Sequence, residues 1–131
     1  MELLSVLAAG AAGWLLGAVW YMALSKPWME AAGFPLDEDG KPQGNGSPMP
    51  IVISGVAILI VAGMMRHMFG MAGIDTAGKT LIAGLGIGLF IIVPWITMNY
   101  AYSMRPFKLT LIDGGYAVAA CGVVGLVLGL F

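Results

Sequence analysis

The sequence predicts an all-α integral membrane protein: a bundle of four transmembrane helices with a short interfacial helix after the first span. Two observations predict this fold class. First, 60% of the 131 residues are hydrophobic, 10% are charged and the mean hydropathy is +0.92, so the chain lacks the charge that covers a soluble domain. Second, apolar residues gather in four runs that each approach the roughly 20 residues a helix needs to cross a bilayer.

The four runs give the expected spans, which cover residues 3–24, 51–71, 80–103 and 109–131. Backbone groups in lipid must find partners within their own segment, so each run is expected to be a helix. The first run is too long for a signal-peptide core and no basic residue precedes it, so we interpret it as an uncleaved span. Residues 1–131 are therefore expected to form one transmembrane domain.

The connection between the first two spans is long and carries the interfacial helix. It opens with Ser25-Lys26-Pro27-Trp28, in which serine suits an N-cap and proline suits the first turn, so a short helix to about Ala32 is predicted. Trp28 is expected to lie in the headgroup layer. Residues 33–50 are rich in Pro, Gly, Asn and Ser, and we predict a mobile loop there.

Lysine and arginine residues predict the orientation of the chain in the membrane. The loops at residues 25–50 and 104–108 hold Lys26, Lys41, Arg105 and Lys108. The side that carries both termini holds Arg66 and Lys79. Because cytoplasmic loops are enriched in these residue types, we expect the two loops in the cytoplasm and both termini outside.

Small residues recur at every fourth position in three of the spans. The stripes consist of Ala9, Gly13 and Gly17 in the first span, Gly84 and Gly88 in the third, and Ala117, Cys121, Gly125 and Gly129 in the fourth. Such stripes let helices approach closely, and van der Waals contact drives helix association in lipid. The pattern does not tell whether these faces meet within one chain or between chains. We expect them to support a homo-oligomer.

Pro94 interrupts the third span. Proline lacks the backbone donor that the carbonyl of Phe90 would accept, so a kink is predicted at this point. A neighbouring helix must then tolerate or satisfy the freed carbonyl.

Polar and aromatic side chains concentrate at one end of the predicted bundle. Asn99 lies about one turn before the end of the third span, and Asp113 lies about one turn after the start of the fourth, so the two should have similar depth. Asn99 and Tyr102 share a helix face, and Tyr116 lies one turn beyond Asp113. The same end receives Trp20, Tyr21, Lys26, Trp28 and Ser54.

These residues allow two interpretations. An acid inside a span is a functional hypothesis by default, so Asn99, Tyr102, Asp113 and Tyr116 could line a polar pocket or the mouth of a pathway. Alternatively, Asp113 is a helix N-cap, because Asp-Gly-Gly-Tyr opens the last apolar run, and Lys108 or Arg105 neutralises it at the interface.

The same region carries a resemblance to a known family. Asn99, the stretch 105–109 (Arg-Pro-Phe-Lys-Leu) and the stretch 111–116 (Leu-Ile-Asp-Gly-Gly-Tyr) closely resemble the C-terminal signature of a bacterial membrane family catalogued as domain of unknown function 1761. Residues 17–28 and 47–50 are also similar to that family. Ser103 stands where the resemblance leads us to expect an acid. The resemblance implies a four-helix bacterial membrane protein of unassigned activity, and it supplies no catalytic residues. We expect the protein in the inner membrane.

The stretch Gly73-Ile74-Asp75-Thr76-Ala77-Gly78-Lys79-Thr80 fits the P-loop pattern. A P-loop needs a strand before it and a helix after it, so that backbone N–H groups surround the phosphates. A membrane helix precedes this stretch, so we predict no bound nucleotide. We expect Asp75 or Thr76 to cap the third span instead.

Four residues near the end of the second span form a weak candidate for a metal site: Met64, His67, Met68 and Met71. They lie on one helix face, and soft thioethers with an imidazole could bind Cu(I). Methionine also fills gaps in apolar packing. We therefore predict no metal and no cofactor.

The remaining observations exclude classes of function. A net charge of -1 gives no reason to expect a nucleic-acid partner. Ser5, Ser54 and Thr97 are isolated hydroxyls without a base, so an enzyme is not expected. The leading hypothesis is a non-enzymatic, self-associating protein of the lipid bilayer. The alternatives are a small transporter or channel around Asp113 and Asn99, and a Cu(I)-handling membrane protein.

Overall fold

A computed structural model describes residues 2–33 and 48–131, and this part of the chain contains helices and no strands. The helices are α1 (Glu2–Ala23), α2 (Ser25–Ala32), α3 (Met49–Ala72), α4 (Ala77–Tyr102) and α5 (Phe107–Gly129). All but α2 are long and apolar enough to cross a membrane. Each of these four begins and ends within one turn of its predicted span, so the predicted fold class is confirmed. Lys41 and most of the predicted loop at residues 33–50 lie outside the described residues.

Helix α5 is the central helix of the bundle. Half of its apolar stretch (50%) is buried inside the protein, against 28% for α1 and 11% each for α3 and α4. It packs against α1, α2 and α4, whereas α3 packs mainly against α1. The core lies where α1, α3 and α5 meet, and its buried side chains are Ala9, Ala62, Met65, Phe69, Cys121, Val124 and Leu128. The spans α3 and α4 are therefore peripheral.

The small-residue stripes of α4 and α5 meet inside one chain. A Cβ atom added at Gly84 would overlap the carbonyl oxygen of Cys121, and one added at Gly125 would overlap the carbonyl oxygen of Thr80. At Gly129 it would overlap the hydroxyl of Thr80. The two helices therefore touch backbone to backbone, which only small residues allow.

The stripe of α1 also packs within the chain, against α5. A Cβ atom at Gly13 would lie 3.0 Å from Cγ2 of Val124, and one at Gly17 would lie 2.7 Å from the hydroxyl of Tyr116. Ala9, in the same stripe, is fully buried. All three predicted stripes thus serve packing within one chain, so any association between chains has to use other surfaces.

Helix α4 contains a π-helical segment at Gly88–Ile92, just before Pro94. The N–H of Val93 bonds to the carbonyl of Gly88, five residues back. The kink predicted at Pro94 stays a prediction, but the helix leaves α geometry in this segment and helical structure continues to Tyr102. Because a π turn holds one residue more than an α turn, the residues that follow it face different neighbours than a regular helix would give them.

The two predicted helix caps have different outcomes. Thr76 caps α4, since its hydroxyl accepts a hydrogen bond from the N–H of Lys79 at 3.3 Å, and helix α3 stands where a P-loop would need a strand. The prediction that Ser25 caps α2 is wrong. Leu24 holds the N-cap position and makes no side-chain cap bond. Its N–H bonds to the carbonyl of Trp20 at 3.0 Å, so α1 and α2 are nearly continuous and no separate cap is needed.

Candidate functional site

The carboxylate of Asp113 on α5 accepts hydrogen bonds from three other helices. The hydroxyl of Tyr21 on α1 donates to Oδ1 at 2.6 Å, and Nε1–H of Trp28 on α2 donates to the same oxygen at 3.1 Å. The hydroxyl of Tyr100 on α4 donates to Oδ2 at 2.6 Å. A carboxylate offers about four acceptor positions, and these three donors fill most of them. We call these four residues the Asp113 cluster.

Tyr116, one turn further along α5, attaches this end of α5 to α1. Its hydroxyl donates to the carbonyl of Gly13 at 2.9 Å and lies against Gly17. Its ring meets the ring of Tyr21 edge-on, with centroids 5.4 Å apart. Gly17 is therefore a requirement of the site, because a side chain there would displace the Tyr116 hydroxyl.

The two glycines between Asp113 and Tyr116 make room for neighbouring helices. A Cβ atom at Gly114 would lie 3.3 Å from Cγ2 of Val93 on α4, and one at Gly115 would lie 2.8 Å from Cζ2 of Trp20 on α1. Trp20 also donates through Nε1–H to the carbonyl of Ile112 at 3.1 Å. Every residue of the Asp-Gly-Gly-Tyr sequence thus contacts α1 or α4.

Arg105, in the link between α4 and α5, fastens that link to the end of α2. Its Nη1 donates to the carbonyl of Ala32 at 2.8 Å. The next residue, Gly33, has a φ of 76°, a left-handed conformation that glycine adopts without strain and that ends the helix. The interfacial helix is therefore held at two points, in its middle by the bond from Trp28 to Asp113 and at its end by the bond from Arg105 to the carbonyl of Ala32.

The predicted cap role of Asp113 is wrong. Helix α5 begins at Phe107 with Pro106 as its N-cap residue, so Asp113 lies more than one turn inside the helix. The prediction that Arg105 neutralises Asp113 is also not supported, because its guanidinium donates to a backbone carbonyl of α2. Hydroxyl and indole donors surround the carboxylate instead.

The structure divides the four predicted pocket residues into two pairs. Asp113 and Tyr116 lie in contact with α1, as described above. Asn99 and Tyr102 are exposed, Tyr102 by 85%, and neither lies in the Asp113 cluster. The π-helical segment explains the difference, because its extra residue turns Tyr100 toward Asp113 in place of Asn99.

Sequence reasoning placed Tyr21 and Trp28 at this end of the bundle without assigning them to Asp113, and it did not single out Tyr100. A tyrosine next to the predicted asparagine was the available signal for Tyr100. Tyr100 could be chosen over Asn99 only with the knowledge that a π turn precedes Pro94.

The weak metal candidates lie at the other end of the protein. Met64, His67, Met68 and Met71 are exposed on the side of α3 that faces away from the core. Within residues 2–33 and 48–131, no three His, Cys, Asp or Glu side chains are grouped as a metal site would need. Binding of Cu(I) by the thioethers stays a prediction.

One family profile, described as "Protein of unknown function (DUF1761)", matches residues 4–129. No curated protein and no solved structure matches the chain. The match covers nearly the whole chain, including every residue of the Asp113 cluster.

Proposed function

Because this chain belongs to the DUF1761 family, whose function is unknown, we propose a function from its own geometry: a non-enzymatic, multi-pass membrane protein that self-associates through α3. In this proposal the Asp113 cluster has a structural role and makes each chain a rigid unit. The single observation that carries the proposal is the carboxylate of Asp113, which accepts hydrogen bonds from three other helices.

The geometry of Asp113 favours a structural role over a catalytic one. Its two oxygens already accept three hydrogen bonds, from Tyr21, Trp28 and Tyr100, which leaves about one of the four acceptor positions of a carboxylate for a substrate. A partly buried polar network of this kind favours one arrangement of helices, because its donors and acceptor come from different helices. The cluster joins α1, α2, α4 and α5 at the end where α3 contributes least.

The outward side of α3 supports self-association. Only Ala62, Met65 and Phe69 of α3 are buried. The side opposite them, which we call the α3 outer face, is exposed and consists of Ile53, Ile60, Met64, Met68 and Met71. Methionine side chains are flexible and polarisable and adapt to a partner surface, and close packing drives helix association in lipid. We therefore assign this face to a second copy of the chain.

Cross-linking through single cysteines tests the proposed contact. In a C121A background, M64C should give cross-linked dimers in lipid at low protein density with a short bis-maleimide. The matched control is I82C, at an equally outward position on α4. Equal yields of cross-linked dimer from M64C and I82C, or no dimer from either, would contradict self-association through α3.

A second candidate function is a small transporter or channel that uses the same cluster. The observation in its favour is the hydrogen-bonded series Tyr100–Asp113–Tyr21, which joins the loop end of α4 to α1. If ions or protons pass here, D113N should lower flux in proteoliposomes, and Y102F should not. Unchanged flux in D113N would exclude Asp113 from any transport path.

We also propose that the protein lies in the bacterial inner membrane with residues 25–50 and 104–108 in the cytoplasm. Lys26, Arg105 and Lys108 at the Asp113 end support this orientation by the positive-inside rule. Alkaline phosphatase fused after Phe131 should then be active, and a fluorescent protein fused there should stay dark. The opposite pair of results would invert the orientation.

A further inference from the structure

A groove of about 620 Å³ opens between the start of α1 and the second half of α3, at the end of the bundle opposite the Asp113 cluster. Its wall is apolar and includes Val6, Gly63 and Gly70. Two charged side chains, Glu2 and Arg66, lie on its lining as well. The groove therefore combines a hydrocarbon-like wall with charges of both signs.

The glycines of this wall differ from those that pack helices together. A Cβ atom at Gly70 would meet nothing within 4 Å, and one at Gly63 would meet only Cγ1 of Val6 at 3.9 Å. At Gly84, by contrast, it would overlap the backbone of α5. Gly63 and Gly70 thus widen the groove and leave space along α3 that no described residue fills.

Arg66 has unused hydrogen-bonding capacity at the polar end of the groove. It lies six residues before the end of α3 at Ala72, about 9 Å along the helix axis, which places it near a membrane surface. Its single hydrogen bond within the described residues is long, from Nη1 to the carbonyl of Leu128 at 3.5 Å. A guanidinium has five N–H donors in a planar fork that suits phosphate, and only one of those of Arg66 makes a hydrogen bond within the described residues.

The negative charge of Glu2 favours some phosphate-bearing ligands over others. A purely anionic headgroup would meet this carboxylate at the same mouth where it meets Arg66. A zwitterionic headgroup satisfies both charges, with its phosphate on Arg66 and its ammonium on Glu2. A primary ammonium can also donate hydrogen bonds to the carboxylate, which a quaternary one cannot.

We propose that the groove binds one phospholipid with a phosphoethanolamine headgroup, its phosphate on Arg66, its ammonium on Glu2 and one acyl chain along Gly63 and Gly70. Met71 belongs both to the edge of this groove and to the α3 outer face, but the proposed headgroup contacts, on Arg66 and Glu2, do not depend on self-association. It gives the protein a defined lipid ligand on the side of the membrane that carries its termini.

Native mass spectrometry of the delipidated full chain tests the proposal, with phosphatidylethanolamine, phosphatidylglycerol and phosphatidylcholine titrated separately. One phosphatidylethanolamine per chain should bind in preference to the other two. R66Q should weaken that binding about tenfold, the loss of one charge-assisted hydrogen bond. K108Q, at the opposite end of the bundle, is the control and should bind as the unmodified chain does.

Two more variants separate the headgroup from the acyl chain. E2Q should remove the preference for phosphatidylethanolamine over phosphatidylglycerol, and G70L, which fills the groove, should weaken binding of every lipid. Glycerophosphoethanolamine, which lacks acyl chains, should bind far more weakly than the lipid. If G70L does not fold, G63A gives the same test with a smaller group.

Three results would overturn the proposal. Equal binding of all three lipids, with R66Q indistinguishable from K108Q, would mean that only non-specific boundary lipid is present. Preference for phosphatidylglycerol would contradict the role of Glu2. Tight binding of the chain-free headgroup would contradict the groove.

Discussion

The hydroxyl of Tyr100 donates a 2.6 Å hydrogen bond to Oδ2 of Asp113, across the link that joins α4 to α5. Tyr21 and Trp28 donate to the other oxygen from α1 and α2. One carboxylate therefore determines how four helix segments meet at one end of a membrane bundle. Removal of any one of these donors should lower the stability of the protein more than removal of an exposed group does.

Y100F should destabilise the protein by about 1–2 kcal/mol, because it removes one hydrogen bond to a charged group in a membrane protein. Its matched control is Y102F, two residues away and 85% exposed, which should leave stability unchanged. The measurement is the unfolding midpoint in lipid nanodiscs. Equal midpoints for Y100F and Y102F would contradict the assigned role of Tyr100.

Substitution of two glycines on α4 should have opposite effects. G84A places a methyl group onto the carbonyl of Cys121 and should cost about 1–3 kcal/mol through overpacking. G86A meets nothing within 4 Å and should be neutral or stabilise the helix by up to about 1 kcal/mol. Thermal unfolding of both variants checks the prediction, and similar losses in both would argue against close contact between α4 and α5.

R105A should release the end of α2 from the link between α4 and α5. The carbonyl of Ala32 loses its 2.8 Å partner, so amide hydrogen exchange within Ser25–Ala32 should become faster. K108Q removes a nearby charge on α5 and serves as the control. If exchange in α2 is the same in both variants, Arg105 does not hold this helix.

The spans could be predicted from the sequence because lipid imposes a length and a composition on any helix that crosses it. The depth of Asp113 followed from the same requirement. The small-residue stripes were also readable, but periodicity does not say which surface a stripe meets, and Gly125 turned out to face Thr80 of its own chain.

The donors of Asp113 were harder to predict, for a physical reason. In a regular α-helix the face that carries Gly84 and Gly88 would continue through Ile92 toward Asn99. The π-helical segment adds one residue, so the face continues through Val93 and reaches Tyr100. A single extra residue in one turn thus separates the predicted site from the observed one.

A double-mutant cycle between Asp113 and Tyr100 tests the central claim most directly. The free energies of unfolding of D113N, Y100F and the combined variant should show a coupling of about 1–2 kcal/mol, since the two side chains share one hydrogen bond. The parallel cycle of D113N with Y102F should show a coupling near zero. Additive effects in the cycle with Tyr100 would contradict the claim that Asp113 joins these helices.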